Sequence, residues 1–409
     1  MKNLLQFLEN SLTAYHAVEN AKAFLTEKGF LALDERDNWK LEEGGKYFVT
    51  RNGSSLIAFT FRKTGNFKIV ASHTDSPCLK LKESPEMKGA FTRLNVETYG
   101  GGLYYTFFDR PLRIAGRLIE EENGKLVSKL YSSEETFVIP SLAIHMNREA
   151  NRQFAPDPQT DLLPLYALGE AALNTQAFAR DLFVVSAEKP FINGANGEFL
   201  SSPRLDNLTS VCASLEAIGG DTNGVCVAAL FDNEEIGSRT RQGAGSDFMK
   251  STLRRIALLQ GKTEEEFMGS LSSSLLVSLD NAHSVHPNHP EKCDPTNRAI
   301  MGGGIVVKAH ANGAYTSDGL TAAAIKKLFA DAGVKYQNFY NRSDMPSGST
   351  LGCISFSQVG VPSVDLGLAQ LAMHSAVETF APADYEELKK GLSAFYKSAI
   401  RIGENTVEL

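Results

Sequence analysis

Five segments of the chain carry side chains able to bind divalent cations, and three of them follow short apolar runs. Phe67–Ser72 leads into His73-Thr74-Asp75, Val225–Phe231 into Asp232-Asn233-Glu234-Glu235, and Ser274–Leu279 into Asp280. Asp206 opens the helical pattern NLTSVCASLEAI, and His374 lies in the loop-like LAMHSAVE. Two His, two Asp and one Glu make a donor set suited to two divalent cations, since a shared carboxylate can bridge ions about 3.5–4 Å apart. One acid is then left over. In the pair Glu234-Glu235, one carboxylate can bind metal while the other faces substrate and takes a proton from water. Asp75, two residues past His73, can accept the second ring N–H of that imidazole and hold its ligating tautomer.

Each residue also has a plainer reading. Glu234-Glu235 alone is an ordinary solvated pair, His73 a hydrogen-bonded core histidine, Asp206 a helix cap, and Asp75 the start of an Asx turn before Pro77. Their joint placement decides between the two. Carboxylates crowded beyond several strand ends repel one another unless cations neutralise them. His283 joins the candidate site because it lies just beyond Asp280; Pro287 and Pro290 break any helix that would align His286 and His289 with it, and these two read as loop residues. His16 and His310 read as structural.

Strand-ending acids need a sheet that delivers them to one rim. From Asp181 onward, DLFVVSA, NLTSVCASLEAIGG, VCVAALF, SDFMKSTLRRIALL and SSSLLVSL alternate apolar runs with helical segments, the pattern of a buried, mostly parallel sheet flanked by helices. Functional groups in such α/β sheets collect beyond the carboxyl ends of the strands. Between them lies a β-rich stretch with TRLNVETYGGGLYYTFF, LRIAGRLIEE and KLVSKLYSS. The expected organisation is an α/β domain in two parts, residues 1–83 and 191–409, with a β-rich domain inserted at 84–190. At the N-terminus, Leu4, Leu5, Phe7, Leu8, Leu12, Tyr15, Val18 and Phe24 recur at helical intervals and predict an amphipathic helix rather than an export signal.

The segments ASHTDSPCLK, VETYGGGLYYTFFDRPL, IPSLAIHMNR, SPRLDN, LFDNEEIGS, SLDNAHSVHPN, DMPSGSTLG and LAMHS closely resemble, in order from near residue 10 to near residue 400, those of the aspartyl aminopeptidase family of co-catalytic metallopeptidases. Ser347 departs from the pattern, standing where many relatives carry Cys. The resemblance implies the metallo-aminopeptidase fold, with the inserted domain making dimer contacts within a homododecamer. It implies that His73 and Asp280 bind one metal, that Glu235 and His374 bind the other, that Asp206 bridges them, and that Glu234 is the base. It further implies substrate contacts from His283, Lys308 and Tyr315, and a His145 that reaches into a neighbouring subunit's site. Zinc is the implied metal, with manganese or cobalt also accepted, and peptides with N-terminal Asp or Glu are the implied substrates. Lys308, in GGGIVVKAH, sits on a predicted strand that would present its ammonium to an acidic substrate.

The remaining composition narrows the alternatives. A formal charge of −7 over 409 residues, without a dense Lys/Arg block, lacks the footprint of a nucleic-acid binder. No apolar run approaches the ~20 residues of a membrane-spanning helix. Cys78, Cys212, Cys226, Cys293 and Cys353 are scattered without CxxC spacing, which points to a reducing cytoplasm. The rivals are a hydrolase of other preference on the same metals, a glycosidase that would leave both histidines idle, and an inactive self-assembling binding protein, whose mark would be an incomplete ligand set.

Overall fold

The apolar runs that precede the metal-capable side chains become neighbouring strands of one sheet. The computed structural model describes every residue except 174, 176, 346, 347, 349–353 and 355–357, so Ser347 and Cys353 lie outside the described residues. Across the nine-stranded sheet the order is Leu31–Leu33, Lys46–Arg51, Ser55–Thr60, Val225–Phe231, Phe67–His73, Leu275–Leu279, Ser363–Gly367, Ile305–Lys308 and Tyr336–Phe339. Val225–Phe231, Phe67–His73, Leu275–Leu279 and Ser363–Gly367 run parallel at its centre. Ser55–Thr60 is antiparallel to both neighbours, as is Ile305–Lys308 to Ser363–Gly367, so the sheet is mixed around a parallel core.

Every residue of those four central strands is buried, which explains their unbroken apolar runs. Alternate side chains serve opposite faces, as the two-residue period of a strand demands. Val70, Ala228, Leu230 and Val277 pack with the helices Ala14–Glu27, Leu205–Ile218, Gly319–Asp331 and Pro382–Lys397, whereas Ile69, Val227, Ala229 and Leu276 pack with Phe248–Leu259 and Glu264–Ser272. Parallel register then brings the ends of these strands together. Phe231 lies opposite His73, and Ser278 opposite Ala71, so His73, Asp232–Glu235 and Asp280 emerge at one edge.

A second, antiparallel sheet runs in the order Lys125–Ser132, Leu112–Glu122, Ala179–Ser186, Cys78–Met87, Phe91–Tyr99 and Leu165–Leu168. The boundary expected at residue 84 falls inside Cys78–Met87. That strand pairs with Phe91–Tyr99 on both sides of a register shift, so the second sheet begins at Cys78. The run DLFVVSA also belongs here, paired antiparallel with Leu112–Glu122 along its whole length, rather than opening the later α/β series.

The expected single N-terminal helix is two, Lys2–Asn10 and Ala14–Glu27. A helix end leaves carbonyls without intrahelical donors. Here Arg204 supplies them, its guanidinium donating to Ser11 O at 3.0 Å and Leu8 O at 3.4 Å. The break therefore docks the N-terminus onto the residue two before Asp206.

A five-stranded sheet was not foreseen: Phe191–Asn193, Phe199–Ser202, Glu378–Phe380, Ala369–Leu371 and Ala282–His283. It joins the chain before Asp206, after Asp280 and on both sides of His374.

Candidate metal centre

His73 Nε2 lies 3.4 Å from Asp206 Oδ1 and 3.5 Å from Asp280 Oδ1. On the other side of Asp206, His374 Nε2 lies 3.4 Å from Asp206 Oδ2 and 3.4 Å from Glu235 Oε1. These spacings are those that the ligands of a cation would take. A tetrahedral cation with bonds of about 2.0–2.1 Å keeps its ligands about 3.3–3.4 Å apart, the edge of the tetrahedron. The two oxygens of Asp206 thus divide between two His-carboxylate groups.

Among the described residues, Asp206 Oδ1 and Glu235 Oε1 are buried with no hydrogen-bond partner. A carboxylate oxygen removed from water without a donor is strongly destabilised, and a cation removes that penalty. The residues present therefore fit a divalent ion. The electrostatics agree. Burial, with Asp206 and Asp75 adding to it, pushes the Glu235 carboxyl well above the usual range against the pull of His374 and His73. Glu234 rises to about 8, chiefly through burial and then through Asp280, Asp75 and Asp206, with His73 opposing. Burial lowers His374, but the Asp206 and Glu235 carboxylates and the Gly101 carbonyl raise it to about 10. The upward shifts of the two glutamates share one cause, buried and crowded acids, which a bound cation would relieve.

Asp75 does more than expected of it. His73 Nδ1 sits 3.1 Å from Asp75's own backbone oxygen and 3.4 Å from its carboxylate. The carboxylate accepts the N–H of Glu234 at 3.1 Å, the N–H of Glu235 at 3.2 Å and the Tyr99 hydroxyl at 2.7 Å. One buried side chain thereby orients both glutamates of the pair. Tyr99 ends the strand Phe91–Tyr99 of the antiparallel sheet, and two residues beyond it the oxygen of Gly101 lies 3.0 Å from His374 Nδ1. Sequence reasoning missed Tyr99 because an aromatic in ETYGGG carries no metal-binding signal. It also missed Glu378, which the Candidate loop LAMHSAVE left as its unremarked last residue. Backbone strain collects here as well: Asn233 has φ 62° and His374 φ 67°.

Glycine is required at one point of close approach. A Cβ on Gly367 would lie 1.9 Å from the backbone oxygen of Asp280. Gly367→Ala should displace Asp280 and weaken metal binding by about ten- to a hundredfold, the usual effect of disturbing a ligand's supports. Competition with a chelator reads this directly, and an unchanged midpoint would mean that Asp280 is not held by that contact.

Comparison with known proteins agrees with the geometry. The family "Aminopeptidase I zinc metalloprotease (M18)" matches residues 7–179 and 174–396. The chain belongs to the M18 family of aminopeptidases. That is the aspartyl aminopeptidase family, and the protein is a metalloaminopeptidase, a hydrolase. It is 41% identical to the "Probable M18 family aminopeptidase 2" of Clostridium acetobutylicum over 97% of this chain and 98% of that one. The protein of the same name from Pseudomonas aeruginosa is also 41% identical, with the same coverage. Among solved structures, the "Ape4 and Nbr1 complex" aligns with a TM-score of 0.92 at 34% identity, covering 97% of this chain and 85% of that chain. The yeast "mApe1 dodecamer" aligns at 0.83 and 27% identity, covering 97% and 96%.

Within this M18 aminopeptidase, the other expected site residues are placed unequally. Lys308 is only 1% exposed, and its ammonium donates to Asp280 O at 2.9 Å and Asn281 O at 3.3 Å over the face of Tyr315 at 4.9 Å. Its strand is not at the edge of the sheet, since Tyr336–Phe339 lies outside it. Burial opposes its charge, yet Asp280, Tyr315, Asp365 and Asp206 leave its pKa raised. Tyr315 is buried, while His283 is exposed on the strand after Asp280. His145 is exposed on a turn closed by Ala143 O, among the exposed Leu142, Ile144 and Met146. Among the described residues no helix is long and apolar enough to cross a membrane.

Proposed function

We propose that this M18 aminopeptidase removes N-terminal Asp and Glu from peptides at a centre of two divalent cations, with Glu234 as general base. The observation that carries the reading is the division of Asp206 between two His-carboxylate groups at tetrahedral-edge spacing, with Glu234 left over beside them. His73 and Asp280 would hold one cation, Glu235 and His374 the other, and Asp206 both. A divalent metal held there would supply Lewis acidity to the scissile carbonyl and to water, and the His and carboxylate donors suit zinc, or manganese or cobalt. Glu234, half-buried and fixed through its N–H by Asp75, accepts the proton of the attacking water and returns it to the leaving amine. Asp75 contributes by orienting this base and its neighbouring ligand.

Acid preference rests on Lys308. An ammonium has three donors, so its two carbonyl partners leave capacity for one carboxylate oxygen. Tyr315, His283 and a neighbour's His145 would complete that pocket. Exposed apolar side chains around His145 support burial against a second copy, and the dodecameric relative supports a homododecamer built from dimers through the β-rich region. On this reading the α/β domain comprises residues 1–83 and 191–409, apart from the few residues from Cys78 that the second sheet claims. Free Cys78, Cys212, Cys226 and Cys293 support a cytoplasmic setting.

The test is hydrolysis of aminoacyl amides of Asp, Glu, Asn, Gln, Leu and Lys, with and without prolonged chelation. Asp and Glu should lead by roughly ten- to a hundredfold in kcat/KM, from a contact worth about 1.5–3 kcal/mol, and chelation should abolish every rate. Leucine amide as the best substrate would reject the acid preference, and rates that survive chelation would reject the metal centre.

A further inference from the structure

The strand Glu378–Phe380 carries a side chain with no role so far. Glu378 is 2% exposed, and its two oxygens go to two different ligand residues. Oε2 accepts the backbone N–H of Asp206 at 2.9 Å, and Oε1 accepts that of His374 at 2.6 Å. We infer that Glu378 is a positioning residue whose carboxylate sets the spacing between His374 and the shared Asp206, and so the geometry of the second cation's ligands. The inference rests on the proposed two-cation reading.

Three features support it. First, the ligands come from segments far apart in sequence, the start of Leu205–Ile218 and a loop, and this carboxylate spans them directly. Second, Glu378 is itself fixed, since Ser202 lies opposite it in the five-stranded sheet on the chain that leads through Arg204 to Asp206. Third, His374 stands in the left-handed region at φ 67°, where a non-glycine residue needs support from its surroundings, and its N–H bond to Glu378 is part of that support. A carboxylate offers two acceptors to two converging N–H groups. A carboxamide offers one acceptor and turns an N–H₂ toward the other donor.

Glu378→Gln should therefore keep the volume and lose the clamp. In the full-length, zinc-loaded protein we expect one of two zinc ions to be released to a chromophoric chelator about 10–100-fold faster than in wild type, with the other close to wild type. kcat should fall while KM changes little, and the melting temperature of the metal-free protein should stay near wild type, because the clamp acts on ligand geometry. Glu378→Asp, which withdraws the carboxylate by one methylene, should release the same ion faster and serves if the glutamine variant does not fold. Wild-type release of both ions from either variant would overturn the inference. So would a fall in metal-free melting temperature with unchanged release, which marks a structural role alone. The wild-type control separates the two readings: fewer than two zinc ions per wild-type chain would reject the two-cation centre itself, whereas two ions held equally well by wild type and variants would reject only the role of Glu378.

Discussion

Glu234→Gln is expected to keep its full complement of metal and lose roughly 10²–10⁴-fold in kcat, the usual contribution of a positioned base. The substitution preserves shape and removes the group that takes the proton from water. Metal should stay because the two His-carboxylate groups are formed by His73, Asp206, Asp280, His374 and Glu235, and among the described residues neither histidine pairs with Glu234. The backbone should stay too, since Asp75 holds Glu234 through its N–H, which glutamine retains. At 1.36 kcal/mol per tenfold, the loss corresponds to about 2.7–5.5 kcal/mol of transition-state stabilisation. It should fall on kcat with little change in KM, the mark of an interaction made only in the transition state. Metal analysis with steady-state kinetics checks both halves. A variant with substantial kcat would remove Glu234 as base, and one that loses metal would place it among the ligands.

Lys308→Met carries the second large effect, and here the structure changes what the sequence alone leads one to expect. A cleft-facing lysine would affect only substrate preference. The observed ammonium is tied to the carbonyls of Asp280 and Asn281, so its removal strands two buried acceptors, one of them the backbone oxygen of a proposed ligand. Charge-assisted bonds of this kind are worth about 1.5–3 kcal/mol each. The variant should therefore lose metal affinity at the Asp280 side and lose more than tenfold in kcat/KM on every substrate. If Lys308 also reads the substrate carboxylate, the Asp-to-Asn ratio at saturating metal should collapse toward one. Chelator competition and the two amide substrates separate the effects. Unchanged metal affinity would show that the carbonyls find other donors, and an unchanged Asp-to-Asn ratio would transfer acid recognition to Tyr315, His283 or a neighbour's His145.

The convergence of the candidate ligands was legible because strand endings are. An apolar run such as VCVAALF needs both of its faces covered, and whatever polar residue follows it must surface at the sheet's rim, so His73, Glu235 and Asp280 could be placed together from sequence. Assigning Glu234 and Glu235 to separate tasks needed more. Adjacent carboxylates are indistinguishable by type, so the sequence assigned them only through the family resemblance; in the fold Glu235 Oε1 lies 3.4 Å from His374 Nε2, which supports the proposed division. The supports were the least legible. Tyr99 reaches Asp75 from the other sheet and Glu378 reaches Asp206 from 172 positions away, so no local pattern encodes these partners; only the bond from His374 to Glu378, four residues apart, is local. The start of the second sheet at Cys78 was missed for a related reason: CLKLKESPEM follows the loop of His73 and Asp75 at once and enters the other sheet without an intervening linker.

The most direct measurement is a zinc titration of metal-stripped protein in which bound metal and hydrolysis of Asp amide are followed together. A centre in which Asp206 is shared by two cations predicts binding that saturates at two ions per chain, with full activity reached only as the second site fills. Full activity at a single ion per chain, or binding that saturates at one, would contradict it.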